Sequence, residues 1–121
     1  EPRREFIEKN AKFAENLAKP FGMAAQSSEL FLMGLFSVLD AILDKDMEEA
    51  LKLVKVSKNI NDALVSKTGV YGPLYEFIVN YEKANWQEVS RQMILLDINL
   101  NDLYDAYLET LVWYRKLTLG K

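Results

Sequence analysis

Carboxylates are the main side chains of this chain that could support catalysis or metal binding, because its 121 residues include no histidine and no cysteine. Without imidazole or thiolate, the usual helical sites for zinc and other transition metals cannot form. A serine nucleophile would also lack the histidine base that normally activates it. The sequence therefore predicts no metal site, no cofactor and no catalytic residue.

Two groups of acidic residues are close enough in sequence to share a metal ion or a proton. The first group consists of Asp40, Asp44 and Asp46. It lacks the ligand spacing and the glycine of a calcium-binding EF-hand loop. The second group consists of Asp102, Asp105 and Glu109. A general acid or base needs a pKa shifted by burial, and neither pattern indicates burial, so we expect solvated helix surfaces at both places.

Composition and charge are typical of a folded globular chain. Hydrophobic residues make up 50% of the sequence and charged residues 27%. The net charge is −3 with acids and bases well mixed, so the basic patch of a nucleic-acid binder is missing. The longest apolar run, residues 30–36, is far shorter than the roughly 20 residues of a membrane span. We expect a cytoplasmic protein that neither binds nucleic acid nor spans a membrane.

The elements that would position these side chains are all predicted to be helices. Apolar residues recur at spacings of three and four along the chain, and no alternating strand pattern competes with them. Proline, glycine and helix-capping residues separate about seven such segments. The sequence therefore predicts an all-α fold, an irregular bundle of about seven helices, with residues 1–121 forming a single helical unit.

The most apolar segment is predicted to be the central helix of this bundle, over about residues 28–44. Its narrow polar stripe consists of Gly34, Ser37, Asp40 and Asp44. A helix that is apolar almost all round is normally packed on most of its sides. We therefore expect Leu35, Phe36 and Leu39 to lie in the main core. Asp40 is expected to be structural, accepting a hydrogen bond from a neighbouring helix or loop.

Aromatic residues are concentrated in the second half of the chain, and some of them are candidates for binding another protein. Core packing is expected for most, but aromatic side chains are also enriched at interfaces. Trp113 is predicted to lie away from the apolar face of the last helix, which carries Leu103 and Tyr107. We expect Trp86, Trp113 and Phe6 to belong to a surface through which the chain self-associates or docks on a partner protein.

The segment from Gly34 to Asp40 reads Gly-Leu-Phe-Ser-Val-Leu-Asp. It resembles the metal-binding helix of HD-superfamily phosphohydrolases, which reads Gly-Leu-Leu-His-Asp-Ile-Gly. In this resemblance Ser37 stands at the histidine position and Val38 at the aspartate position. Serine is a poor metal ligand and valine is none. The resemblance therefore implies a degenerate site that cannot hold the superfamily's metal in its usual form.

More of the chain resembles the HDOD domain, the HD-related output domain of bacterial signalling proteins. The resemblance is to the C-terminal half of that domain, in the version that follows an EAL domain for cyclic di-GMP hydrolysis. The matching segments are residues 10–18, 32–40, 63–64, 81–86 and 107–113. Since the first residue is Glu1 rather than methionine, we expect the chain to be a piece of a longer protein.

The resemblance implies a regulatory module without enzymatic activity, which passes a signal through protein–protein contacts to or from an attached EAL domain. Two alternatives stay open on the residues themselves. One is a small-ligand sensor with an apolar pocket beside Ser37 and Asp40. The other is a divergent phosphohydrolase that uses carboxylates alone, with Asp40 and Asp44 as candidate residues.

Overall fold

In a computed structural model that describes residues 2–120, the chain folds into helices joined by short connections, with no strand in that range. The helices are α1 (Pro2–Leu17), α2 (Ser27–Phe36), α3 (Leu39–Leu43), α4 (Met47–Leu51), α5 (Lys58–Ser66), α6 (Gly72–Glu82), α7 (Trp86–Leu95) and α8 (Leu100–Leu119). A 3-10 helix, Ala24–Gln26, leads into α2. The all-α prediction is confirmed. When α2 and α3 are counted as parts of one broken helix, the described range contains the seven segments that the sequence predicts.

The centre of the fold is shared by α1 and α2. The buried apolar face formed by α1 and by the residue that directly follows it consists of Ala11, Phe13, Ala14, Leu17 and Ala18. This face lets α1 contact α2, α6 and α8. Three of its five residues are alanines, which keep the face thin and allow the neighbouring helices to approach closely. A broad apolar core forms around it, and its largest fully buried side chains include Tyr71, Phe77, Leu30 and Met33.

The helix predicted over residues 28–44 is interrupted at Ser37 and Val38. Val38 has φ −112° and ψ 11°, outside the helical region. Ser37 Oγ donates a hydrogen bond to Gly34 O at 2.7 Å, and such side-chain bonds compete with regular helical bonding. Because of this interruption, α2 and α3 are two separate helices.

The interruption changes which side chains the segment buries. Leu30 and Met33, on α2, are fully buried. Phe36 and Leu39 lie at the edge of the core and are partly buried against it, whereas Leu35 is only half-buried. The expectation that these last three side chains lie in the main core is therefore wrong for Leu35 and right only in part for Phe36 and Leu39.

Two helix-capping residues of the sequence, Ser57 and Asn99, form side-chain caps, whereas Asp46 and Asn85 form none. Ser57 Oγ accepts a hydrogen bond from Ile60 N at 3.2 Å at the start of α5, and the same hydroxyl donates to Glu29 Oε1 on α2 at 2.6 Å. Asn99 Oδ1 accepts a hydrogen bond from Asn101 N at 2.7 Å and so defines the start of α8. Side-chain oxygens at these positions satisfy backbone donors that have no partner inside the helix.

One stretch, Ala24–Leu43, is long and apolar enough to cross a membrane by length and composition alone, with 20 residues and a mean hydropathy of 1.3. In the fold this stretch is not one helix, because it contains the 3-10 helix, α2, the interruption and α3. Its α2 portion packs on α1 and places Leu30 and Met33 in the core. Only 17% of the apolar window is buried inside the fold, so most of this stretch lies at the surface.

Gly34 marks the place where α2 and α1 come closest together. A Cβ atom built on Gly34 would lie 2.7 Å from Ala11 Cα and 2.9 Å from Asn10 O. Both of these are backbone atoms of α1, so the overlap could be relieved only by moving one helix away from the other. Glycine at this position is therefore a packing requirement of the fold.

We expect Gly34→Ala to lower the free energy of unfolding by about 1–3 kcal/mol, the usual penalty for overpacking a close contact. Alanine has the higher helix propensity by about 1 kcal/mol, so propensity alone would predict the opposite sign. Urea denaturation measures the difference. Gly120→Ala, where the nearest atom is 3.3 Å from the added Cβ, is the control. Unchanged or increased stability of Gly34→Ala would contradict the close approach of α1 and α2.

Candidate functional site

The two degenerate positions, Ser37 and Val38, lie at the interruption between α2 and α3, where Ser37 belongs to a small hydrogen-bond network. Asn10 Nδ2, on α1, donates to Ser37 Oγ at 2.8 Å and to Gly34 O at 3.1 Å. Asn10 is itself buried, and buried polar groups need such partners. The network therefore ties α1 to the end of α2.

Asp40 lies next to this network, in the first turn of α3. Its Oδ1 accepts a hydrogen bond from the backbone N of Ala41 at 2.9 Å. The expected hydrogen bond from another helix or loop is not formed, and this part of the prediction is wrong. The cause is the interruption at Val38, which makes Asp40 an N-terminal residue of a new helix, where backbone donors of its own helix are free.

The other carboxylates of the two acidic groups do not converge on a shared site. Asp44 ends α3 in the left-handed conformation, with φ 53° and ψ 50°, and is exposed. Asp102 and Asp105 lie exposed on α8. Within residues 2–120, no group of three or more histidine, cysteine, aspartate or glutamate side chains is placed to hold a metal ion.

Aromatic side chains from α1, α6 and α8 form a groove of about 400 Å³, which we call the aromatic groove. It is lined mainly by Phe6, Phe13, Tyr81, Glu82, Tyr107 and Leu111. The ring centroids of Phe13 and Tyr81 are 5.1 Å apart, and those of Tyr81 and Tyr107 are 6.0 Å apart. This volume and apolar lining are in the range of small-molecule sites.

Two of the three residues predicted to form an interaction surface lie at the aromatic groove. Phe6 lines the groove and is 45% exposed. Trp86 packs edge-on against Tyr81, with centroids 5.3 Å apart, and remains 54% exposed. Aromatic side chains that remain partly exposed, as Phe6 and Trp86 do, are enriched at protein-binding surfaces. Their role as contact residues stays a prediction.

Trp113 has a different environment. It is half-buried, its ring lies edge-on to Phe31 at 6.4 Å, and Lys12 Nζ lies 5.5 Å from its centroid. Trp113 does lie on the side of Ala106 and Thr110, as predicted, but this is the side of α8 that faces α1 and α2. Trp113 therefore packs within the chain.

The packed face of α8 differs from the one that the sequence predicted. The buried residues of this helix are Leu103, Ala106 and Thr110. Asn16 Nδ2 on α1 donates to Thr110 Oγ1 at 3.0 Å, and small residues at 106 and 110 allow this approach. The larger apolar side chains remain outside. Those more than half exposed are Leu100, Tyr104, Leu108, Val112 and Leu119. Leu100, Tyr104, Leu108 and Val112 follow one another at intervals of four residues in the sequence.

Glu82 is the titratable group of the aromatic groove whose pKa is changed most. Desolvation by the surrounding side chains raises the pKa of Glu82 to about 7, with Lys83 acting in the opposite direction. The pKa of Tyr75 is also raised, mainly by burial and further by the negative charges of Glu82 and Asp40. The pKa of Tyr75 is therefore sensitive to one carboxylate of the aromatic groove and to one carboxylate at the start of α3.

The chain is homologous to a segment of a cyclic di-GMP phosphodiesterase. This homology relates the chain to cyclic di-GMP signalling. This relative is the cyclic di-GMP phosphodiesterase CdgJ of Vibrio cholerae, 31% identical over 103 residues, which cover 85% of this chain and 24% of the relative. A second relative is the uncharacterized protein YuxH of Bacillus subtilis, 29% identical over 111 residues, which cover 92% of this chain and 26% of the relative.

The chain spans about a quarter of the length of these relatives. The activity in the name of CdgJ is that of the whole relative. No family model matches the chain, and no solved structure matches it at a significant level.

We expect Glu82 to make stability depend on pH between about pH 4.5 and about pH 7. Because its pKa is raised on folding, the folded state holds the proton more tightly, and the stabilisation present below pH 4.5 is lost as the pH rises through 7. Glu82→Gln should flatten this part of the curve in denaturation experiments. Since the carboxyl retains solvent contact, the effect should be smaller than for a fully buried group.

The control for this experiment is Glu48→Gln, which removes an exposed carboxylate from α4 far from the aromatic groove. The control should keep the slope of the parent chain. If Glu82→Gln and the parent chain have the same slope, Glu82 is not desolvated at the groove.

Proposed function

We propose that this chain is a signalling module without enzymatic activity, the C-terminal part of an HDOD domain that acts through protein–protein contacts. We further propose that it works in the cytoplasm beside an EAL domain that hydrolyses cyclic di-GMP. Homology to a quarter of a cyclic di-GMP phosphodiesterase supports the signalling context. The resemblance of residues 32–40 and 81–86 to HDOD sequences supports the assignment of the module.

The hydrogen bonds of Ser37 are the observation that carries the non-enzymatic part of this proposal. A metal ligand must direct a free electron pair at the ion. Ser37 Oγ accepts a hydrogen bond from Asn10 and donates one to Gly34 O, so its proton and one of its two lone pairs are already used within the chain. Val38, at the aspartate position, has no ligand atom in its side chain. These contacts support a packing role for Ser37 in place of metal binding.

Exposed apolar side chains support the protein-binding part of the proposal. Trp86 and Phe6 stand beside the aromatic groove, and a second set lies along the outer side of α8. Contiguous apolar surface of this kind is unfavourable in water and usually marks an interface. The chain therefore presents surface that a partner domain or protein could cover.

The aromatic groove favours a second candidate, a small-ligand sensor. Its lining includes Asn10, the residue whose amide binds Ser37 and Gly34. A ligand in the groove would thus contact the residue that ties α1 to α2. This groove is not the pocket that the sequence predicted beside Ser37 and Asp40, because neither of these residues lines it.

The first proposal predicts that the purified chain does not hydrolyse cyclic di-GMP or a generic phosphodiester, with or without added Mn²⁺, and retains no stoichiometric metal. Ser37→Ala should lower the free energy of unfolding by about 1 kcal/mol, since it removes hydrogen bonds from a partly buried site. Elemental analysis, a hydrolysis assay and urea denaturation measure these quantities. Metal-dependent hydrolysis that is lost in Asp40→Asn and Asp44→Asn would instead support the carboxylate-only phosphohydrolase.

The sensor candidate predicts that a nucleotide or another small aromatic ligand raises the melting temperature of the chain. A ligand at about 100 times its Kd stabilises a protein by about 2.7 kcal/mol. Phe6→Ala should reduce the shift because Phe6 lines the groove, while Leu53→Ala, at an exposed residue outside the groove, should not. A shift that both variants keep would place the ligand outside the groove.

A further inference from the structure

We propose that α8 pairs in antiparallel orientation with α8 of a second copy of the chain. The contact is made through a seam on the outer side of α8. The seam consists of Asn101, Asp105, Leu108, Val112, Arg115 and Leu119.

The seam faces away from the rest of the chain. Successive residues of a helix are turned by about 100° around its axis. The seam residues therefore lie on the side opposite Ala106 and Thr110, which are buried against the bundle. Leu108, Val112 and Leu119 are 56%, 52% and 74% exposed. Three aliphatic side chains in one line on the outside of a helix leave apolar surface that a second helix can cover.

The spacing of the seam is that of a coiled coil. Its residues follow one another at intervals of four, three, four, three and four, which is the alternation of core positions in a heptad repeat. Only half of the seam is apolar, however, so it cannot hold a partner through hydrophobic contact alone. The charged positions must therefore also find partners.

Charge determines the orientation of the pair. Asp105 and Arg115 are both exposed, and neither has an ion-pair partner in the described part of the chain. In an antiparallel pair with residue 110 at its centre, Asp105 lies opposite Arg115 of the partner subunit. The same register places Leu108 opposite Val112 of the partner subunit. A parallel pair would bring aspartate against aspartate and arginine against arginine, which is unfavourable.

The two ends of the seam match less well, because this register places Leu119 opposite Asn101 of the partner subunit. Beside the seam, the charged residues agree with the register with one exception. Asp102 comes beside Lys116 of the partner subunit, which adds a second pair of opposite charges. Glu109 meets Glu109 of the partner subunit near the two-fold axis, and this contact is repulsive.

A contact made by one helix is small. A helix of 20 residues is about 30 Å long. We therefore expect a weak dimer with a dissociation constant on the order of 10–100 μM. This inference stands on α8 and does not depend on the proposed signalling role, so a monomeric chain would leave that role open while overturning the pairing.

Sedimentation equilibrium over a concentration series tests whether the pair forms. The chain should shift from monomer to dimer, and Leu108→Asp should weaken dimerisation by about tenfold or more because it places a charge at the centre of the seam. Ile94→Asp, on α7, is the control, since Ile94 is 80% exposed and outside the seam. A strict monomer overturns the proposal, as does a dimer that Leu108→Asp leaves intact.

Charge reversal tests the orientation. Asp105→Arg and Arg115→Asp should each weaken the dimer, because each places like charges opposite one another, and the double variant should restore it. In a parallel pair the two positions do not meet, so failure of the double variant to restore the dimer overturns the antiparallel register. Glu109→Gln should tighten the dimer by removing the repulsion at the axis, and an unchanged constant there would also contradict the register.

Disulfide trapping gives an independent measure of the register, because the chain has no cysteine of its own. When Leu108→Cys and Val112→Cys proteins are mixed and oxidised, the mixed disulfide should form faster than either symmetric disulfide. Preference for the symmetric products would show that the helices pair in another register or in parallel.

Discussion

The contact between α1 and α2 at Gly34 is the constraint on which the rest of the bundle depends. The backbones of the two helices come so close there that no side chain fits between them. Asn10 can reach the carbonyl of Gly34 and the hydroxyl of Ser37 only because of this closeness. With α2 held in this way, Leu30 and Met33 reach the core, and the opposite side of α1 remains available for α6 and α8.

The sequence predicts the helical fold correctly because interactions between nearby residues determine where helices form. Apolar spacing and the caps at Ser57 and Asn99 act within a few residues, and the structure confirms them. The interruption at Ser37 was not predicted, although the hydrogen bond from Ser37 Oγ to Gly34 O that accompanies it is local. Only the hydrogen bond from Asn10, which lies 27 residues earlier in the chain, is long-range. Apolar spacing alone predicts a helix that continues through Ser37.

The same distinction explains the errors at the candidate site. The sequence shows that α8 has more than one apolar face, but choosing the buried face requires knowing that Asn16 and Thr110 meet. It also shows that Ser37 and Val38 are poor ligand positions, since this follows from residue type alone. The hydrogen bonds that Ser37 makes could be seen only in the folded chain. Residue type thus shows that good metal ligands are missing at these positions, and the tertiary contacts show which hydrogen bonds Ser37 makes.

The interruption between α2 and α3 also divides the chain into parts that need not open together. α3 contains no buried residue and is linked mainly to α4, whereas α2 is held firmly by α1. Local unfolding requires only the free energy of the contacts that are lost. The residues of α3 can therefore exchange their amide hydrogens through small openings while α1 and α2 stay intact. A continuous helix over the same residues would have joined these two parts into one cooperative unit.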